Sequence, residues 1–182
     1  MSRSLDRDVT TCQWIAMDSP VGRLILKARS DALTSVHFAA LAREELTTPS
    51  PSIGRQRERE LLREAAAQLR EYFAGARRSF DLSLAFAGTM FQHKVWQELC
   101  EIPYGETLTY AQLARRVGHP TAWRAVGRAN GANPLAIVVP CHRVVASDGT
   151  GGYAGGIARK QLLLDLEARV LEAGRRQGPH AR

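Results

Sequence analysis

The stretch LAIVVPCHRVV occupies residues 135–145 and carries the strongest constraint on how this chain folds. Its apolar first half, LAIVV, predicts a buried strand, and Pro140 cannot extend the hydrogen-bond ladder of such a strand. Cys141 therefore follows the end of the strand, where its side chain can face a cleft. His142 and Arg143 stand beside it, and cationic neighbours lower the pKa of a thiol from about 8.5 towards about 3.5–7.5. The stretch predicts a nucleophilic cysteine, with a buried structural cysteine as the alternative.

Two short helices are predicted before this stretch. Thr109 and Gln112 have the spacing of a capping box, which starts a helix over 110–117 that ends at Gly118. A second helix is predicted over 121–130, before a further glycine. Two helices joined by a turn of about three or four residues that contains glycine are typical of a helix-turn-helix.

The second helix combines small and basic side chains. Ala125 and Gly127 allow a close approach to another surface, and Arg124 and Arg128 lie on one side at i,i+4 spacing. Residues 107–147 contain no Asp or Glu. Buried arginines without partners are costly, so we favour a nucleic-acid groove over tight helix packing or a buried, acid-poor segment. The arginines of this run are Arg115, Arg116, Arg124, Arg128 and Arg143.

Composition limits the class of protein. The chain has 182 residues, 45% of them hydrophobic, which allows one ordinary domain or two small ones. No window of about 18 apolar residues exists, so no membrane span is predicted. The start, MSRSLDRDVT, is polar, which argues against a secretory signal and favours the cytoplasm. The net charge of +7 favours an anionic partner.

The cysteines Cys12, Cys100 and Cys141 show no repeated spacing. The sequence contains no Cys-x-x-Cys pattern and no Cys/His ligand pair, so we predict neither a disulfide framework nor a metal site, and we expect no cofactor. Free thiols fit a reducing compartment. Cys12, in a predicted strand, and Cys100, on an apolar helix face, are expected to be structural.

An α+β fold is predicted, with a small N-terminal domain of antiparallel β-sheet and helix. A mostly helical C-terminal domain follows and contains the helix-turn-helix and Cys141. The predicted N-terminal elements are strands at 12–19, 22–28 and 33–40, a linker at 47–54, a helix at 56–73 and a strand at 80–86.

The predicted domain boundaries are 1–10 for a flexible N-terminus, 11–85 for the N-terminal domain, 89–172 for the C-terminal domain and 173–182 for a flexible tail.

Residues 89–167 resemble the methylated-DNA–protein-cysteine methyltransferases, also called 6-O-alkylguanine-DNA alkyltransferases. The most specific match is the Pro-Cys-His-Arg-Val segment at 140–144. Residues before about 85 are consistent with the variable N-terminal domain of this family but carry no diagnostic motif. The other matching motifs are Phe91-Gln92 with Val95-Trp96, Ile102 to Gly105, Thr109-Tyr110 with Leu113-Ala114, Arg124 to Gly127, Asn133-Pro134, Gly152 to Gly156, and Lys160 with Leu163 and Glu167.

The resemblance implies a chemical role for Cys141 and its surroundings. Cys141 is expected to accept an alkyl group from the 6-oxygen of guanine by direct displacement. His142 is expected to act as base through a bridging water, with Glu167 orienting its imidazole. Tyr153 is expected to donate a hydrogen bond to the departing guanine, and the backbone of Val144 to recognise the base edge. A thioether is stable, so each molecule is expected to react once.

The resemblance also implies how DNA is bound. The target nucleotide leaves the duplex at a cost of roughly a few kcal/mol, and the small residues of the second helix suit the minor groove. Arg124 is expected to fill the space of the extruded base, Tyr110 to push on the neighbouring phosphate, and Asn133 to brace the turn before the active-site segment. Trp123 departs from the family, which more often has a small residue there, and either turns into the protein or acts as an apolar wedge. The other residues expected to bind substrate or DNA are Ala125, Gly127, Arg128 and Ala154.

The expected partner is double-stranded DNA that contains alkylated guanine, with the 4-oxygen of thymine as a second candidate target. A monomer is expected, and cooperative binding along DNA is left open. Two alternatives are a cysteine hydrolase, which would turn over repeatedly, and a protein that binds alkylated DNA without repairing it. The hydrolase leaves the arginines without a purpose, and the binding protein leaves Cys141 without one.

Overall fold

The computed structural model of the chain describes residues 12–39 and 56–176. The predicted N-terminal segment 1–10, the predicted linker 47–54 and the end of the predicted tail, 177–182, lie outside the described residues. No helix within the described ranges is long and apolar enough to cross a membrane.

The extended runs near the N-terminus form one antiparallel sheet, as predicted. Strand order follows the chain, and Leu26 of the central strand lies opposite Ile15 and Val36. In the turn after this strand, Ser30 has a φ of 58° and its N–H donates to Oε1 of buried Glu58 over 3.0 Å. The strands are β1 (Gln13–Met17), β2 (Leu24–Arg29) and β3 (Ala32–Phe38).

Helix α1 (Gln56–Phe73) has the predicted bounds and packs on this sheet. Its apolar residues recur at helical spacing, so they share one face. Leu62, Ala65, Leu69 and Tyr72 on that face are buried, and most of the arginines and glutamates of the helix are exposed. Burial of this face explains why the helix forms with so many charged residues.

The predicted strand at 80–86 does not form. Leu84 makes one isolated bridge to Leu33, with hydrogen bonds from Leu33 N to Ser83 O and from Ala85 N to Leu33 O. The side chains still alternate between half-buried and exposed positions over this segment. The alternation of side chains shows only which of them face the core. A β-strand also needs a neighbouring strand to hydrogen-bond with along its length.

The second region is mostly helical, as predicted. Capping boxes at Thr89 and Thr109 start its first two helices, and the second of these boxes was predicted. The connection between the second and third of these helices spans 117–122, so it is longer than the predicted turn, although Gly118 follows the end of the first of the two as predicted, with a positive φ of 79°. The last helix makes residues 173–176 helical, where a flexible tail was predicted. The elements are α2 (Met90–Cys100), β4 (Leu108–Thr109), α3 (Tyr110–Arg116), α4 (Trp123–Gly131), β5 (Val144–Val145) and α5 (Ile157–Arg176).

The apolar run 135–139 forms a compact turn and not the predicted strand. Val139 N donates to Leu135 O over 2.8 Å, and Ile137 has a φ of 74°, which is rare for a β-branched residue. The run is bound to the N-terminal sheet because Ala136 N donates to Val36 O over 3.1 Å, next to the hydrogen bond from Val36 N to Pro134 O. The side chains of 135–139 are buried, so continuous hydrophobicity here reflects a buried turn. One contiguous hydrophobic core therefore joins both regions of the chain.

We expect Thr109→Ala to lower the free energy of unfolding by about 1 kcal/mol, because the variant loses the side chain that accepts from Gln112 N over 3.2 Å. Thr109→Ser keeps a hydroxyl and should retain most of the stability. Urea denaturation of the two variants and the parent protein measures the difference. Equal losses in both variants would show that the cap does not stabilise α3.

Candidate functional site

Cys141 opens a short 3-10 helix, Cys141–Arg143, and is only 5% exposed. Its N–H donates to Val139 O over 2.8 Å, and Asn130 Nδ2 donates to its carbonyl over 3.3 Å. The segment is thus helical and not extended, contrary to the interpretation of 135–139 as a strand leading into the cysteine. A 3-10 helix has about three residues per turn, so the side chains of Cys141 and His142 still point in different directions.

Asn133 contacts the thiol directly. Its Nδ2 donates to Cys141 Sγ over 3.0 Å and to Val139 O over 2.8 Å, while its Oδ1 accepts from Leu135 N over 3.0 Å. The side chain therefore holds the turn at 135–139 against the cysteine. Its hydrogen bond to sulfur was not anticipated from the sequence.

Burial raises the pKa of the Cys141 thiol, although the hydrogen bond from Asn133 and the positive charge of Lys160 act in the opposite direction. The sequence-based expectation that His142 and Arg143 ionise the thiol is therefore wrong. Burial lowers the pKa of His142, so its imidazole is neutral, and Arg143 is engaged by a carboxylate. The sulfur is therefore a neutral thiol at neutral pH.

His142 is fully buried and binds Glu167, with 2.9 Å between Nε2 and Oε1. Because an ionised carboxylate only accepts hydrogen bonds, Nε2 carries the proton and Nδ1 keeps its lone pair. His142 Nδ1 is buried and has no hydrogen-bond partner among the described residues. The imidazole is therefore oriented by Glu167 and has one basic nitrogen available.

Burial of Glu167 would raise its pKa, but hydrogen bonds from His142 and Arg143 and the charge of Arg143 lower the pKa to about 2. Arg143 donates from Nη2 to Oε1 over 2.9 Å and from Nε to Oε2 over 3.0 Å. Gly105 N donates to Oε2, and the hydroxyl of Tyr72 donates to Oε1, each over 2.8 Å. Tyr72 lies on α1, and no motif in the sequence indicated that it reaches this site.

A cavity of about 40 Å³ borders Cys141, which is enough for a small number of waters. The Tyr153 hydroxyl is buried and makes no hydrogen bond of good geometry with any described residue. Burial and the nearby sulfur of Cys141 raise the pKa of Tyr153, so its hydroxyl stays protonated. The lining includes Val36, His37 and Phe38 of β3 together with Asn133, Tyr153 and Ala154.

Lys160 is fully buried and holds the loop that follows the cysteine segment. Its Nζ donates to Val144 O and Thr150 O, each over 2.5 Å, and to Gly152 O over 3.3 Å. Burial lowers the pKa of Lys160 to about 8, against the opposing influence of Cys141.

The backbone of Val144 is engaged on both sides. Its N–H donates to Cys141 O, and its carbonyl accepts from Lys160. Its predicted role in recognising a base would use the second lone pair of the carbonyl.

Helices α3 and α4 pack together and present the basic residues of the acid-free run. Arg143 is the exception: it is buried in its ion pair and cannot contact phosphate, which corrects the interpretation of that arginine. Ala125 and Gly127 are half-buried on α4. The exposed arginines of the two helices are Arg115, Arg116, Arg124 and Arg128.

The α3–α4 surface adjoins the cysteine site. The hydroxyl of Tyr110 donates to Gly152 O over 3.2 Å, and burial and the proximity of Cys141 raise the pKa of Tyr110. Trp123 is 46% exposed and does not turn into the protein. The guanidinium of Arg124 lies 4.5 Å from the centre of the Trp123 ring, a cation–π geometry.

The other two cysteines have different surroundings. Cys12 is half-buried and its thiol donates to Ala28 O over 3.1 Å, as expected for a structural residue. Cys100 is exposed, so the prediction that it lies on an apolar face of its helix is wrong. No cluster of His, Cys, Asp and Glu in the described part of the chain could hold a metal ion.

The site thus defines a protein with a buried, hydrogen-bonded cysteine beside a neutral histidine and an arginine-rich helix pair. Residues 13–86 match the family described as "6-O-methylguanine DNA methyltransferase, ribonuclease-like domain". Residues 90–169 match "6-O-methylguanine DNA methyltransferase, DNA binding domain".

Individual relatives give the same result. A methylated-DNA–protein-cysteine methyltransferase of Methanosarcina barkeri is 47% identical over 83% of this chain and 94% of its own length. One from Mycobacterium leprae is 46% identical over 84% of this chain and 90% of its own. The structure of Mycobacterium tuberculosis OGT in complex with DNA has a TM-score of 0.75 at 43% identity, covering 87% of this chain and 94% of that one. The chain belongs to the 6-O-methylguanine DNA methyltransferase family.

We expect Glu167→Gln to lower the free energy of unfolding at neutral pH by roughly 3–5 kcal/mol, because it leaves the buried charge of Arg143 unpaired. The pKa of Glu167 is about 2 in the folded protein, against an ordinary value of 4.5. The ionised carboxylate therefore contributes fully to the free energy of unfolding above pH 4.5, and this contribution is lost as the pH falls towards 2. The stability gap between variant and parent should narrow over that range. Urea denaturation at neutral pH and at about pH 3 measures it.

Glu172→Gln is the matched control, since Glu172 is exposed on the same helix. It should change stability little at either pH. A gap that is constant with pH in Glu167→Gln would contradict the argument.

Proposed function

We propose that this protein repairs DNA by moving an alkyl group from the 6-oxygen of guanine to Cys141. The observation that carries the proposal is the thiol itself: it borders a cavity, accepts a hydrogen bond from Asn133 and lies next to the arginine-bearing helix pair. Membership of the family supports the same reaction. The proposal treats 11–85 and 89–172 as two domains, with the DNA-binding and reacting groups in the second.

The proposed reaction is a direct displacement. The thiol proton passes through a bridging water to Nδ1 of His142, the sulfur attacks the alkyl carbon, and the bond from carbon to the guanine oxygen breaks. Glu167 stabilises the imidazolium that forms, and the Tyr153 hydroxyl donates to the guanine as negative charge develops on it. Because the resting thiol is neutral, its proton leaves as the sulfur attacks. The rate of alkyl transfer then depends more on how the alkyl carbon is positioned against the sulfur than on a thiolate that exists before the substrate binds.

The damaged base must reach Cys141 from outside the duplex. We propose that α4 enters the minor groove through Ala125 and Gly127, that Arg124 replaces the extruded base, and that Tyr110 displaces the adjacent phosphate. Release of Arg124 from the ring of Trp123 accompanies this step and costs about 0.5–1 kcal/mol for an exposed pair. Trp123 is then available as an apolar wedge. Arg128 and the exposed arginines of α3 contact phosphates without reading sequence.

Intact-mass measurement after incubation with a methylated duplex tests this function. We expect one methyl group per protein molecule, located by peptide mapping on Cys141, with no further product after the first equivalent. Cys141→Ser should abolish transfer and retain DNA binding, whereas Cys100→Ser should transfer normally. Repeated turnover would favour the hydrolase, and binding without any transfer would favour the non-catalytic alternative. Duplexes carrying methylated guanine or methylated thymine establish which lesion reacts faster.

We expect Arg124→Ala to slow transfer from duplex DNA by roughly tenfold or more, because nothing then offsets the cost of unstacking the base. Transfer from the free methylated base, which needs no extrusion, should be unchanged. Arg115→Ala, on exposed α3, is the control and should weaken DNA binding without changing single-turnover transfer at saturating duplex. Single-turnover kinetics on both substrates measure the ratio. A proportional loss on the free base would contradict the role given to Arg124.

A further inference from the structure

The hydroxyl of Tyr72 connects the N-terminal region to the reacting groups. It donates over 2.8 Å to Oε1 of Glu167, the same oxygen that binds Nε2 of His142. The Tyr72 side chain is 0% exposed and belongs to α1, remote in sequence from the cysteine segment. An N-terminal hydroxyl is therefore two hydrogen bonds away from the proposed base.

Packing alone does not require this hydroxyl. The ring of Tyr72 lies in an aromatic cluster, 5.6 Å from the ring centre of Phe80 and 5.9 Å from that of Tyr104, and phenylalanine would fill the same space. Tyr104 shows the contrast, since its hydroxyl is also buried but has no hydrogen-bond partner among the described residues. The cluster thus holds one hydroxyl engaged with the carboxylate and one that is not.

The hydroxyl of Tyr72 and Nε2 of His142 share one hydrogen-bond acceptor, Oε1 of Glu167. Burial, and then the charge of Glu167, raise the pKa of Tyr72, so its hydroxyl is protonated and remains a donor at neutral pH. Each donor on Oε1 withdraws charge from that oxygen and weakens its hold on the imidazolium form of His142. The other charged groups facing His142 are Glu167 and Lys160 of α5 and Arg143 of its own turn.

We propose that Tyr72 is a positioning residue for the relay between Glu167 and His142, and that the N-terminal region takes part in the chemistry through this hydroxyl. The inference rests on the proposed function, because it assigns Tyr72 a role in the proton transfer described there. Without the hydroxyl, Oε1 would hold the protonated imidazole more strongly, and His142 would be a base only at higher pH.

The test is the pH dependence of single-turnover methyl transfer by Tyr72→Phe at saturating methylated duplex. We expect the acidic limb of the profile to move to higher pH, the rate below that limb to fall by up to about tenfold, and the rate to recover as the pH rises. DNA affinity should be unchanged. Tyr104→Phe removes a hydroxyl from the same cluster and should leave the profile in place.

A ring-fluorinated tyrosine at position 72 supplies an independent check that does not remove the hydroxyl. Its more acidic phenol donates a stronger hydrogen bond, so the acidic limb should move to lower pH, opposite to Tyr72→Phe. If the acidic limb lies at the same pH in the parent protein, in Tyr72→Phe and in the fluorinated protein, the proposal is overturned, even if the rates differ by a constant factor.

The titration of the His142 ring in the free protein, followed by NMR, separates this proposal from the proposed function. Tyr72→Phe should raise the midpoint relative to the parent protein, whether or not any methyl group is transferred. A raised midpoint in a protein that does not methylate Cys141 would leave the hydrogen-bond coupling intact and reject only the repair function. An unchanged midpoint alongside normal transfer would reject the role of Tyr72 alone.

Discussion

The buried carboxylate of Glu167 is the interaction on which the site depends. An ionised group with no solvent exposure is costly unless hydrogen bonds and a counter-charge replace its hydration. Arg143 supplies the charge, and His142, Tyr72 and Gly105 supply further donors. These partners come from separate parts of the chain, so the carboxylate can be satisfied only when both regions are folded against each other.

This requirement explains two features that the local sequence obscures. Arg143 stands beside Cys141 in an arginine-rich run, yet it is buried and neutralises Glu167, unlike the exposed arginines of α3 and α4. His142 stays neutral because burial outweighs the carboxylate beside it. A neutral thiol next to a neutral, oriented imidazole is compatible with the proposed displacement, in which ionisation accompanies attack, and a neutral thiol is a weaker nucleophile than a thiolate.

Local signals in the sequence predicted those parts of the fold that local forces stabilise. The apolar spacing of α1 and the capping box at Thr109 were correct because a helix forms its hydrogen bonds within itself. The segments 80–86 and 135–139 were wrong as strands because a strand needs a partner that periodicity does not reveal. The motif at 140–144 singled out Cys141 and His142, and the family resemblance added Glu167. The structure brings these three residues together with Asn133 and Tyr153.

The order of residues was sufficient to predict the family, the helix pair with its arginines and the cysteine proposed to react, since these depend on neighbours in the chain. Three features required the folded molecule: the protonation of the thiol, the pairing of Arg143 and the reach of Tyr72 to Glu167. Each is governed by burial and by the distance between groups far apart along the chain. Desolvation and hydrogen bonding of this kind arise only after the core has closed, and so no short motif encodes them.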